Sequence, residues 1–149
     1  MSMTRPSSVP PPDLGLGGAK SALLSQSGPN RPTHVPFPPT GSPRFLIPRH
    51  PAPAVSAAVR TSTTPGSVRS RLLRETGQVL ARLGLARLAP NAVALGGPGT
   101  ILHHLQEVVG QELVASVHLG PPRANRKPVL HLMDSRGRSV AFAKLGMNE

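Results

Sequence analysis

The chain predicts an α+β fold behind a long proline-rich tail, and three observations carry that reading. Most of its 19 prolines lie ahead of Ser67, two later segments repeat apolar residues at helical spacing, and three β-favourable runs close the sequence. The expected organisation is a largely disordered tail over residues 1–66 and a small α+β module over 67–149. That module holds one or two helices and a three-stranded antiparallel meander.

Residues 1–43 mix Pro, Ser, Gly and Thr with few large apolar side chains, so burial cannot offset the entropy of ordering them. Pro36-Phe37-Pro38-Pro39 suits polyproline II. Phe45, Leu46 and Ile47 form a short apolar knot expected to pack on the module as an extended arm. Ala54 to Arg60 is Ala-rich and predicts a short helix, and Pro65 suits the first position of the next one. From Val68, apolar residues recur at Leu72, Leu73, Val79, Leu80, Leu83 and Leu88, with Arg69, Arg71, Arg74, Arg82 and Arg87 mostly off that stripe. The helix is amphipathic and basic, a pattern that suits the outside of a packed helix and also an anionic membrane or RNA.

Gly96-Gly97-Pro98-Gly99 lacks the Gly-Lys-Ser/Thr of a phosphate-cradling loop and predicts a turn before a helix. Thr100 caps that helix, Ile101, Leu102, Leu105, Val108 and Val109 supply its apolar face, and Gly110 its left-handed stop. Leu113 to Leu119, Val129 to Met133 and Val140 to Leu145 are the three strands. Asp134-Ser135-Arg136-Gly137 joins the last two as a hairpin, with Asp favouring the first turn position and Gly accepting positive φ.

The formal net charge is +11, which favours polyanions. The cations are scattered, however, and Tyr and Trp are absent, so no nucleic-acid motif stands out. Without Cys there is neither a disulfide framework nor a thiolate metal site, and a reducing cytoplasm is the expected compartment. No apolar run approaches membrane-spanning length. Among the six histidines, His103 and His104 are adjacent on a helix rather than four apart, while His118 and His131 lie on strands as possible neighbours. No serine has an identifiable His and Asp partner.

The chemistry concentrates at the end of the chain. The connection from Gly120 through Arg123 and Asn125 to Lys127 carries turn residues and three cations, which suits a polyphosphate. Strand periodicity places Phe142 and Lys144 on one face, where a ring can stack on a base and an ammonium reach its phosphates. The segment Val117 to Gly146, VHLGPPRANRKPVLHLMDSRGRSVAFAKLG, resembles the N-lobe opening of kinase-like phosphotransferases, the aminoglycoside and choline kinase group: strand, glycine-bearing loop, strand, turn, lysine-bearing strand.

The resemblance implies ATP as cofactor. Lys144 would pair with its α- and β-phosphates, the loop from Gly120 with Arg123 and Asn125 would cover them, and Phe142 would lie against adenine. Phe142 departs from the small residue that protein kinases carry there. The only aspartates are Asp13 in the tail and Asp134 at the hairpin turn, so the family's catalytic Asp and Asn and its metal-binding Asp are not matched. The expectation is thus a partial nucleotide-binding lobe, inactive alone, with Mg²⁺ entering only alongside a C-terminal lobe. The alternative is a small basic interaction module that binds a partner or an anionic surface such as nucleic acid. On a purely structural reading Phe142 belongs to the core and Lys144 is solvated or guards an edge strand.

Overall fold

The computed structural model describes Leu23 and residues 32–38, 42–62, 68–85, 91–121 and 127–146 of the chain. Its frame is a five-stranded antiparallel sheet whose spatial order follows the sequence: β1 (His34–Phe37), β2 (Phe45–Pro48), β3 (Val114–His118), β4 (Val129–Met133) and β5 (Ser139–Lys144). Among the described residues three longer helices accompany it: α1 (Ala52–Ser62), α2 (Val68–Arg82) and α3 (Ile101–Val109). The architecture is α+β, as expected, with five strands in place of three.

The two additional strands come from residues that composition assigns to the tail. Proline content conceals them because each proline sits where a strand tolerates it. β1 is an edge strand, so Pro36 removes no ladder bond from its interior, and Pro48 closes β2. The apolar knot at Phe45–Ile47 is an inner strand of the sheet, with Leu46 and Ile47 buried. The sheet therefore takes in chain well ahead of Ser67.

Alternation along the strands divides the core between two faces. One face carries Leu46, Ala115, Val117, Leu130 and Leu132, which pack with Val93, Leu95 and Leu102 under α3; Leu23 joins this cluster. Pairing aligns Pro36 with Leu46, Leu46 with Val117, Val117 with Leu130 and Leu130 with Ala143, so this apolar row crosses all five strands. The other face carries Ile47 and Met133, with Val35, Phe37, Phe45 and Val114 beside them, under Ala54, Val55, Ala58 and Val59 of α1.

Helix α3 forms as its end signals require. Thr100 has extended backbone and accepts the His103 N–H on its hydroxyl, and Gly110 stops the helix at φ 72° with its N–H donated to the Gln106 carbonyl at 2.9 Å. Helix α2 contradicts the simple stripe expectation. It leans on α1 through Gly77 and Ala81, and a Cβ at Gly77 would come within 3.0 Å of the Val59 side chain. Leu72, Val79, Leu80 and Leu83 are exposed. Small residues allow the two helix backbones to approach closely, which outweighs what leucines in the seam would bury. Pro65, Arg87 and Leu88 lie outside the described residues.

Candidate functional site

The hydrogen-bonded register settles which side chains share a surface. Phe37 pairs with Phe45, Phe45 with His118, His118 with Val129, and Val129 with Lys144, a single row across the sheet on the face that α1 covers. Two residues along, Ser116 pairs with His131 and His131 with Phe142 on that same face. The chain has three phenylalanines and no Tyr or Trp, and all three phenylalanines lie here.

Helix α1 lies over β2 and β3 on this face, in the cluster that takes in Ile47, Phe37 and Phe45. Its first turn abuts the β4–β5 hairpin, where a Cβ on Gly137 would strike the Pro53 carbonyl. Toward β5 the face is open, with Lys144 exposed and Phe142 67% exposed, and His118 is exposed beside the Gly120 loop. The loop that begins at Gly120 (φ 72°) leaves the sheet one residue after β3 and returns just before β4. Its roots flank the row that holds Lys144. The Leu145 N–H donates to the Pro128 carbonyl at 2.9 Å, and the Leu119 N–H to the Arg44 carbonyl at 2.7 Å, so both roots are tied to neighbouring strands.

Two ring stacks line the opening. Phe45 lies on His118 with centroids 4.6 Å apart at 22°, and Phe142 lies on His131 at 4.6 Å and 6°. His131 is buried behind the Phe142 ring, its Nε2 2.6 Å from the Ser139 hydroxyl and its Nδ1 buried without a hydrogen-bond partner. Burial holds the His131 pKa below its ordinary value. His118 is lowered too, by burial first and then by the Arg44 charge. Both imidazoles are therefore neutral near pH 7, and among the described residues the positive charge at the opening comes from Lys144, Lys127 and Arg44, all exposed.

Of the residues expected to bind nucleotide, Lys144 and Phe142 are brought to one face and Gly120 to the root of the loop beside them. Arg123 and Asn125 lie outside the described residues. Phe142 is an exposed platform and not a core residue; Ala143 and Leu145, which alternate with it, pack into the core. His118 and His131 are same-face neighbours on adjacent strands, yet among the described residues no group of three or more His, Asp or Glu is placed to hold a metal. Asp134 is committed to its turn. Its carboxylate accepts the Arg136 and Arg138 backbone N–H groups at 2.9 Å each and pairs with the Arg138 side chain at 2.7 Å, contacts that hold its pKa below the usual carboxylate value.

The His131–Ser139 contact escapes sequence reasoning. A slip in the β4–β5 register between Leu132 and Met133 makes Ser139, not its neighbour, the partner that reaches His131. The pair has no carboxylate behind it and is not a nucleophilic triad. The Gly96–Gly99 stretch is the expected turn, with positive φ at Gly96, Gly97 and Gly99. No protein-family model matches the sequence, and comparison with curated proteins and with solved structures yields no match.

Proposed function

We propose that the open side of this sheet face is a nucleotide grip, the partial nucleotide-binding lobe of an aminoglycoside-type phosphotransferase. The observation that carries the reading is the joint placement of Phe142 and Lys144: same face, adjacent rows, beside the roots of the Gly120 loop. The outer face of the Phe142 ring takes the base, and His131 behind it fixes the ring's plane. Lys144 meets the phosphates, and the loop, with Arg123 and Asn125, covers them.

Phosphoryl transfer from ATP to a small-molecule hydroxyl needs an aspartate at the acceptor and carboxylates on Mg²⁺. Asp134 is spent on the hairpin turn. In this proposal the described residues bind and orient the nucleotide, and the transfer step awaits groups supplied by a C-terminal lobe.

Titration of the full chain with a fluorescent ATP analogue tests the grip. Lys144→Ala and Phe142→Ala should each weaken binding about tenfold, the scale expected for one charge-assisted phosphate contact or one base stack. Lys144 is exposed, so the melt of Lys144→Ala should be unchanged, and loss of the Phe142–His131 stack should lower the melt of Phe142→Ala only slightly. A different result would favour the basic interaction module: single-stranded oligonucleotide displacing the analogue, with an affinity that falls steeply with salt.

A further inference from the structure

Helix α2 presents to solvent the side chains a helix ordinarily hides. Leu72, Val79 and Leu83 are 64%, 54% and 66% exposed. Spaced by seven and four residues, they fall within about 40° of one another around the helix axis. Gly77 and Ala81 occupy the opposite side, against α1. Leu80, also exposed, widens the apolar strip toward the helix C-terminus. On one flank lie Arg71 and Arg82, both exposed, with Glu75 between them as the single opposing charge.

We propose that this strip docks on an anionic phospholipid surface, with the leucines entering the boundary between headgroups and acyl chains and Arg71 and Arg82 meeting lipid phosphates. An exposed apolar stripe edged by arginines has the make-up of a helix that lies in a membrane interface. Charge complementarity selects this occupant over a second copy of the chain, because two molecules of formal net charge +11 repel each other. It also selects lipid over nucleic acid: aliphatic side chains offer no ring for a base to stack on, and among the described residues α2 carries none. The docking is peripheral, since no described helix is long and apolar enough to cross a membrane. The inference is independent of the nucleotide grip.

Sedimentation of the full chain with phosphatidylcholine vesicles, with and without phosphatidylglycerol, provides the test. Binding is expected only when phosphatidylglycerol is present. The double variant Leu72→Ser/Leu83→Ser should abolish it, and Arg71→Gln and Arg82→Gln should each weaken it about fivefold. Circular dichroism should find each variant folded, and Lys144→Ala should bind vesicles like the parent chain. The proposal is overturned if no binding occurs, if neutral vesicles bind equally, or if the leucine variant binds undiminished. It is likewise overturned if velocity sedimentation shows the leucines holding two copies together.

Discussion

His34 shows how one residue ties a short edge strand to the rest of the molecule. It is fully buried on β1, with Nε2 2.6 Å from the Ala115 carbonyl, so Nε2 carries the proton and donates it; Nδ1 faces the Thr33 hydroxyl at 2.9 Å. Burial lowers its pKa from 6.5 to about 4, and the Ala115 contact only partly offsets that. A histidine whose folded pKa lies below its unfolded value costs stability as the pH falls. The loss begins near pH 6.5, completes below pH 4, and amounts to about 3 kcal/mol. His131 and His118 shift in the same direction and add to it. Chemical denaturation at pH 7.5 and at pH 5 should show the decline, and His34→Gln should flatten it. Gly137 is a second residue with a definite role, since positive φ and the Pro53 carbonyl both exclude a side chain. Gly137→Ala should cost roughly 2 kcal/mol or more, read from urea midpoints.

Elements were legible in the sequence in proportion to how local their causes are. Helix α3 follows from Thr100, its apolar spacing and Gly110, and the β4–β5 hairpin follows from Asp134 and Gly137; the structure confirms each by hydrogen bonds of a few residues' span. The pairing of Phe142 with Lys144 on one face was equally readable, being only strand alternation. β1 was not readable, because its four residues become a strand through pairing with β2 and the bridge from His34 to Val93, nearly sixty positions on. The packed side of α2 was hidden for a related reason. Apolar periodicity points to the leucines, whereas the contact uses Gly77 and Ala81, whose smallness matters only once α1 lies against them. Gly77→Leu should therefore destabilise the fold by about 1–3 kcal/mol although it improves helix propensity, and thermal melts would check it.

At the scale of the whole molecule, the sheet divides its labour between its faces. One face is an apolar row buried under α3, and the other is closed by α1 over β2 and β3 and left open toward β5, where Phe142 and Lys144 stand. The chain's few aromatic side chains are spent on that second face: Phe37 and Phe45 support the contact with α1, and Phe142 stands clear of it. The proposed nucleotide grip rests on this distribution. The most direct measurement is hydrogen exchange over the full chain with and without MgATP. The account predicts slowed exchange in the Gly120 loop roots and in β5 around Lys144, none in α2, and loss of that protection in Lys144→Ala. Unchanged exchange in β5, or protection that survives the substitution, would contradict it.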